Sequence, residues 1–162
     1  MPNCRLSPDR RAVPTALVPV SCNARHGQSW DSEVVASSVL IVDDCRSFAD
    51  AARLLLEQQG VRVVGQACTS ADAVELVASL HPDVVLVDLM LGDESGLDLA
   101  QLLAQSGRRE APAVILISAC PQVDVEELIA ASPASGFLPK SDLSADAIRR
   151  IVGDGRMQAA AR

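Results

Sequence analysis

Short apolar runs alternate with longer amphipathic segments along most of this chain. The runs lie at 39–42, 61–65, 84–87, 113–117 and 136–138. They show no strict alternation of apolar and polar residues, which is typical of strands that are buried on both faces. Arg62 makes the second run the most edge-like of the five. The pattern therefore predicts five strands, four of them well covered.

Each apolar run is followed by a segment whose apolar residues recur at helical spacing. The predicted core residues of these helices are Phe48, Ala52, Leu55 and Leu56; Val74, Val77 and Ala78; Leu99, Leu102 and Leu103; Val125, Leu128 and Ile129; and Ile148, Ile151 and Val152. Gly60, Gly107 and Gly153 stand where helices commonly end. Five repeats of strand and helix predict an α/β fold, a parallel sheet with helices on both faces.

The first 38 residues have a different composition. They combine Pro, Ser and Arg with isolated apolar residues that follow no period, so we expect a disordered N-terminal tail at 1–38. The apolar stretch at 12–20 is interrupted by Pro14 and Pro19, and no clear cleavage site follows, which argues against a signal peptide. We expect one domain at 39–152 and a short C-terminal tail at 153–162.

Length and charge narrow the classes of function. The 162 residues suffice for one compact domain with an extension. The net charge of −7 disfavours nucleic acid as a partner, because a phosphate backbone would be repelled. No apolar run approaches the ~18 residues that span a bilayer. Five scattered cysteines without C-x-x-C spacing are best explained as reduced thiols, which favours the cytoplasm.

Polar residues follow four of the five predicted strands. Asp43 and Asp44 come after the first strand, Asp88 after the third, Ser118 after the fourth, and Lys140 one residue after the fifth. Taken alone, each has an ordinary explanation as a helix cap, a turn residue, a strand end or a surface charge. Parallel strands, however, place their carboxyl ends at one edge of the sheet, which is where ligands bind in such folds.

Three carboxylates at one edge need a cation beside them. They repel one another by up to ~4 kcal/mol per close pair at an effective dielectric constant of about 20. Mg²⁺ prefers oxygen ligands of this kind, so the sequence predicts a magnesium site that includes these acids.

Four segments resemble the receiver domain of bacterial response regulators in two-component systems. VLIVDDC carries the acidic pair, DVVLVDLMLGDESG the acceptor loop, VILISA the hydroxyl and GFLPKS the lysine. The resemblance covers Val39 to about Val152 and implies the flavodoxin-like strand order 2-1-3-4-5. It also suggests a stand-alone receiver, similar to chemotaxis regulators, because only a short stretch follows the last predicted helix.

The resemblance implies a role for each site residue. Asp88 would accept a phosphoryl group from phosphohistidine, as expected in phosphorelay signal transduction. Asp44 and Asp88 would bind Mg²⁺ directly, Asp43 would hold it through water, and the backbone carbonyl of Met90 would complete the protein ligands.

Two further residues would recognise the phosphoryl group, and one would transmit its arrival. Lys140 would neutralise its charge, and Ser118 would hydrogen-bond one of its oxygens. The movement of Ser118 would be coupled to Phe137, an aromatic residue three positions before the lysine. The output surface would then comprise the fourth helix, the fifth strand and the fifth helix.

The family implies partners of a defined kind. A sensor histidine kinase or a phosphotransfer protein would donate the phosphoryl group, and a downstream protein would respond through changed protein–protein interaction. Nucleic acid and membrane are not expected as partners, and homodimerisation stays open. The chain would be a phosphoacceptor that assists its own phosphoryl transfer and dephosphorylation, and no enzyme beyond that.

Two departures and two alternatives complete the interpretation. Gly92 stands where a proline is frequent, and Ser118 replaces the more frequent threonine, which keeps the hydroxyl. One alternative is a degenerate receiver that acts as a phosphorylation-independent interaction module. The other is a small flavin or nucleotide enzyme, but the chain has neither G-x-x-x-x-G-K nor G-x-G-x-x-G.

Overall fold

Five strands form one parallel sheet at the centre of the protein. The computed structural model describes residues 38–105, 111–119, 127 and 130–160, with the side chains of 155–160 left out of the description. The strands are β1 (Ser38–Val42), β2 (Arg62–Ala67), β3 (Val84–Asp88), β4 (Ala113–Ser118) and β5 (Gly136–Pro139). Their order in the sheet is β2-β1-β3-β4-β5. The predicted fold class and strand order are confirmed.

Helices connect the first four strands, and a further helix follows β5, as the amphipathic segments predict. They are α1 (Arg46–Gln58), α2 (Ser70–Leu80), α3 (Gly96–Ala104) and a last helix (Ala145–Ala160). A 3₁₀ turn, Lys140–Asp142, follows β5. The predicted helix around Val125 and the tail at 1–37 lie outside the described residues. Ser38 already opens β1, where its backbone N–H and its hydroxyl each donate to Asp83 at 2.8 Å.

Two apolar clusters hold the helices against the two faces of the sheet. On one face, Val39 and Ile41 of β1 belong to a cluster with residues of α1 and the last helix. On the other face, Leu40 and Val42 belong to a cluster with residues of α2 and α3. Every residue of β3 is buried, as expected for the central strand of a doubly covered parallel sheet. Burial on both faces leaves the strand ends as the places where polar groups can gather.

The buried faces of the helices are rotated by part of a turn from the predicted faces. Leu55, Val74 and Leu102 were expected in the core, but they are 38%, 36% and 54% exposed. Ala52 is buried as predicted, and alanines outside the predicted faces occupy further buried positions, namely Ala49, Ala73 and Ala100. Small side chains let a helix approach the sheet closely, and a run such as Leu54 to Leu56 fits more than one helical phase.

One helix end also differs from the prediction. The last helix continues through Gly153 to Ala160, although the sequence predicted its end at that glycine. Gly60, in contrast, adopts a φ of +81° just after α1, as a helix-ending glycine should. A glycine inside a helix costs only about 1 kcal/mol relative to alanine, so it does not have to end one. None of the described helices is both long and apolar enough to cross a membrane.

Candidate phosphoacceptor site

The strand registers bring the predicted site residues to one edge of the sheet. Asp88 is the last residue of β3 and pairs with Ile117, one position before the end of β4. Ser118 ends β4 and pairs with Pro139, which directly precedes Lys140. Asp43 follows β1, and its backbone N–H donates to the carbonyl of Ala67 on β2 at 3.0 Å. All of these residues therefore lie at the carboxyl ends of their strands.

Three carboxylates gather at this edge. Asp43, Asp44 and Asp88 each offer an oxygen, and these oxygens all lie within 4.8 Å of one another. Asp43 is 1% and Asp88 is 7% exposed, whereas Asp44 faces solvent. Two of the acids are thus buried in the protein, and the third lies at the solvent-exposed side of the cluster. The arrangement suits a cation that enters from solvent and keeps part of its hydration.

The ammonium group of Lys140 lies between the two buried acids. Its Nζ is 2.8 Å from Oδ2 of Asp88 and 2.6 Å from Oδ2 of Asp43. It also lies 4.4 Å from the centre of the Phe48 ring on α1, where the face of the ring attracts a cation. The Lys140 side chain is only 15% exposed. Its position is therefore fixed from three sides.

Asp43 is only partly compensated by its neighbours. Its Oδ1 accepts a hydrogen bond from the backbone N–H of Cys45 at 2.8 Å. The buried Oδ2 lies 2.6 Å from Nζ of Lys140, and this ion-pair contact is its compensation, although the two groups are not well aligned. Burial raises the pKa of Asp43; Lys140 and the Cys45 N–H lower it in part, and the charge of Asp88 raises it further. The pKa of Asp43 is raised overall, so the positive charge around the ionised carboxylate does not fully compensate for its burial.

Lys140 shows the complementary effect. Burial alone would lower its pKa, since the charged form loses water. Hydrogen bonds to Asp43 and Asp88 outweigh that effect, and the pKa is raised. Lys140 therefore stays an ammonium group throughout the physiological pH range and acts as a fixed positive charge.

A short ribbon follows Asp88 and shapes the acceptor loop. Residues Met90–Leu91 pair antiparallel with Glu94–Ser95 around a two-residue turn, in which Gly92 has a φ of +61°. The Met90 side chain is 68% exposed, and its backbone N–H donates to Oδ1 of Asp88 at 3.3 Å. A Cβ on Gly92 would lie 3.9 Å from Oδ2 of Asp44. The positive φ explains why glycine suits a position where a proline was the more frequent family residue.

Gly96 has a role in this loop that the sequence did not reveal. A Cβ at this position would collide with the carbonyl oxygen of Asp88 and would lie 2.9 Å from its carbonyl carbon. The backbone N–H of Gly96 donates to the carbonyl of Leu89 at 3.0 Å. Only glycine allows α3 to start this close to the acceptor residue. The only signal in the sequence is a glycine eight residues after an aspartate, at the start of a helix. That spacing is too general to predict a close approach of two backbone segments.

The two proposed switch residues lie on neighbouring strands. Ser118 is 5% exposed at the end of β4. Phe137, on β5, is half-buried, pairs with Leu116 and packs against the core cluster shared by α2 and α3. The switch role of both residues stays a prediction.

The residues present fit a magnesium ion. The donor set consists of three carboxylates, one of which has a buried oxygen without a well-aligned hydrogen bond. Oxygen ligands of this type, partly open to solvent, are what Mg²⁺ prefers in proteins. That Asp44 and Asp88 bind the ion directly, Asp43 through water and Met90 through its backbone carbonyl stays a prediction.

Comparison with known proteins agrees with this geometry. Residues 39–152 match the model of the response regulator receiver domain. The sensory transduction protein LytT of Bacillus cereus is 33% identical over 85 residues, which are 52% of this chain and 34% of LytT. The response regulator GacA of Pseudomonas aeruginosa is 29% identical over 122 residues, which are 73% of this chain and 56% of GacA.

A solved structure supports the same assignment. The signal receiver domain of a modulated diguanylate cyclase from Desulfovibrio desulfuricans is 30% identical, with a TM-score of 0.61, and the match covers 75% of this chain and 94% of that chain. The chain spans only about a third of LytT and just over half of GacA. The stand-alone architecture and the domain boundaries stay predictions. Sequence, fold and site together show that the chain belongs to the response regulator receiver domains, the phosphoacceptor modules of two-component signalling.

Proposed function

We propose that this receiver accepts a phosphoryl group on Asp88 in a magnesium-dependent reaction and signals through changed protein–protein interaction. The observation that carries the proposal is the close grouping of Asp43, Asp44 and Asp88, with the ammonium of Lys140 against Asp43 and Asp88. Phosphoryl transfer requires mainly positioned groups and neutralised charge, and this edge of the sheet supplies both.

Asp88 is the nucleophile in the proposed reaction. One carboxylate oxygen attacks the phosphorus of a phosphohistidine, the P–N bond breaks, and the electron pair leaves with the imidazole. The Met90 N–H on Oδ1 and the Lys140 ammonium on Oδ2 fix the plane of this carboxylate. A bound Mg²⁺ would supply Lewis-acid neutralisation of the phosphoryl oxygens. Asp43 and Asp44 favour the binding of that cation.

Lys140 and Ser118 recognise the product. The new phosphoryl oxygens carry more charge than the carboxylate they replace, so they compete for the ammonium now held by Asp43 and Asp88. Ser118 ends the strand beside Asp88 and would donate its hydroxyl to one phosphoryl oxygen. Phe137 on the next strand would respond to the shift of Ser118 by changing its packing. The response would reach partners through β5 and the last helix.

The donor would be a sensor histidine kinase or a phosphotransfer protein, and the receiver of the signal a downstream protein. The acidic net charge of −7 supports a protein target over nucleic acid. Location in the cytoplasm and homodimerisation stay predictions that this site does not address.

The direct test is incubation with acetyl phosphate and MgCl₂, followed by intact-mass measurement. We expect one phosphoryl group per chain that is lost on treatment with base, as an acyl phosphate should be, and that depends on added magnesium. Asp88→Asn should abolish the modification. Asp98→Asn removes an exposed acid from α3 outside the site and should leave the modification intact.

Two outcomes would overturn the proposal. Unmodified wild-type protein, under conditions that phosphorylate a known receiver, would favour the degenerate, phosphorylation-independent module. A phosphoryl group that survives in Asp88→Asn, or that is stable to base, would place the acceptor elsewhere.

A further inference from the structure

We propose that Glu94 is a positioning residue that fastens the acceptor loop to the start of α2 and thereby holds the loop in its cation-binding shape. The inference rests on the proposed function, since it assigns a further residue to the same site. It starts from a contact across 24 residues of sequence: the backbone N–H of Ser70 donates to Oε2 of Glu94 at 2.7 Å.

The acceptor loop needs such an attachment. Its ribbon has only two residues in each strand, and Gly92 at its tip is exposed and free of the constraint that a proline would impose. A two-stranded ribbon of this size is not stable by itself. Leu91, which is 3% exposed, anchors one strand of the ribbon in the core. The second strand has the Glu94 contact.

The start of α2 has a donor to offer. Thr69 is the N-cap, and its side chain accepts from the backbone N–H of Asp72. The N–H of Ser70, the first residue of the helix, is another of the four that no helical carbonyl satisfies. Glu94 supplies an acceptor for it, and hydrogen bonds from Ser70 lower the pKa of Glu94. A carboxylate at this end of a helix is further stabilised by the helix dipole.

The contact has consequences for the site because the ribbon also carries Met90. The N–H of Met90 contacts the Asp88 carboxylate, and Met90 is the residue whose carbonyl would face the cation. With Glu94 attached to α2, the ribbon has one dominant position relative to Asp88. Without that attachment, the loop samples positions in which the Met90 carbonyl is turned away, and cation binding must first select the correct one.

Glu94→Ala tests the proposal by two measurements that do not depend on phosphorylation. Calorimetric titration with MgCl₂ should show binding weakened by about two- to fivefold, the fold-change for losing one exposed contact at a helix start. Amide hydrogen exchange of Met90 and Leu91 without magnesium should be faster than in the parent. The phosphorylation rate should fall at low magnesium and recover at saturating magnesium.

Matched variants separate this contact from a general charge effect. Ser70→Pro removes the donor and is compatible with the first position of a helix, so it should weaken magnesium binding as Glu94→Ala does. The double variant should bind magnesium no more weakly than either single variant. Glu94→Gln keeps the acceptor oxygen and should restore most of the affinity. Glu75→Ala removes one negative charge from an exposed position on α2 and should leave magnesium binding as in the parent.

The outcomes distinguish this inference from the proposed function. If Glu94→Ala and Ser70→Pro bind magnesium like the parent, the inference is wrong while Asp88 phosphorylation stands. If Glu75→Ala weakens binding as much as Glu94→Ala, the effect is one of net charge and the inference is likewise overturned. If the parent binds no magnesium, the proposed function fails first.

Discussion

Replacing Lys140 with methionine should destabilise the protein in a way that magnesium repairs. Methionine keeps the apolar stem beside Phe48 but removes the ammonium that lies 2.6 Å from Asp43 and 2.8 Å from Asp88. Removing one partner from a buried ion pair costs about 3–5 kcal/mol when the other charge remains. Because Asp43 can take up a proton instead, we expect a loss of about 2–3 kcal/mol at neutral pH.

The pH dependence of this loss follows from the same carboxylate. The pKa of Asp43 is already raised by burial, and Lys140 is one of the groups that lower it, so the Lys140→Met variant should have a still higher value. The folded variant then binds more protons than the unfolded chain, and its stability falls as pH rises through that window. In the parent, Lys140 stays charged throughout that window because its pKa is raised. Its contribution to stability is lost only at high pH, above that pKa. The deficit relative to the parent should therefore shrink on acidification.

Urea unfolding followed by far-ultraviolet circular dichroism measures both effects, at about pH 5 and about pH 8. Magnesium at a hundred times its dissociation constant stabilises a folded protein by about 2.7 kcal/mol. A given magnesium concentration should stabilise the variant more than the parent, since no ammonium competes for the two acids. Phosphorylation of Asp88 should nevertheless be impaired.

A control variant and a defined contrary result complete this prediction. Arg53→Met breaks an exposed ion pair with Glu57 on α1 and should cost only about 0.3–0.5 kcal/mol at either pH. A Lys140→Met protein as stable as the parent at neutral pH would refute the electrostatic reasoning. So would a deficit that grows on acidification, or one that magnesium leaves unchanged.

Two further predictions concern the same edge of the sheet. Gly96→Ala should lower the free energy of unfolding, measured by urea titration, by about 1–3 kcal/mol, because a Cβ there displaces the backbone of Asp88. It should also slow phosphorylation. Gly153→Ala, at an uncrowded helical position, should instead raise the free energy of unfolding by about 0.5–1 kcal/mol in the same titration. Equal effects of the two variants would contradict the steric argument. Asp43→Asn should be more stable than the parent without magnesium, since the raised pKa shows that the ionised acid is unfavourable there, and calorimetry should show weaker magnesium binding; a variant less stable than the parent would contradict this explanation.

The main sheet and most of the site could be predicted from the sequence because both follow from local rules. Apolar runs mark strands buried on both faces, and parallel strands must end at the same edge, so Asp43, Asp88 and Lys140 had to meet once five such strands were identified. The structure confirms that meeting at distances of 2.6 and 2.8 Å. The register of β3 with β4 and of β4 with β5 then places Ser118 beside Asp88 without further assumptions.

The helical faces and the acceptor loop were not predictable in the same way. Adjacent apolar residues, such as Leu55 and Leu56, leave the rotation of a helix undecided, and the close approach of alanines to the sheet decided it. The contact between Glu94 and Ser70 joins residues that no short sequence motif connects. The collision that excludes alanine at Gly96 depends on the path of the Asp88 backbone, which only coordinates give.

The charge balance of the site would let one side chain, Lys140, act both as a structural element and as a sensor of the proposed modification. Three carboxylates and one ammonium leave a net charge of −2 at this edge, and a divalent cation brings it to zero. A phosphoryl group with a charge of about −1.5 to −2 replaces the single negative charge of the Asp88 carboxylate, so the edge becomes negative again by about half a charge to one charge. Lys140 is the positive charge in contact with Asp88, and it follows β5 directly, three residues after Phe137. A shift of Lys140 from Asp43 toward the phosphoryl group would therefore pull on the end of β5, the strand that carries the proposed switch residue. Strand β5 would then couple the site directly to the surface of the protein.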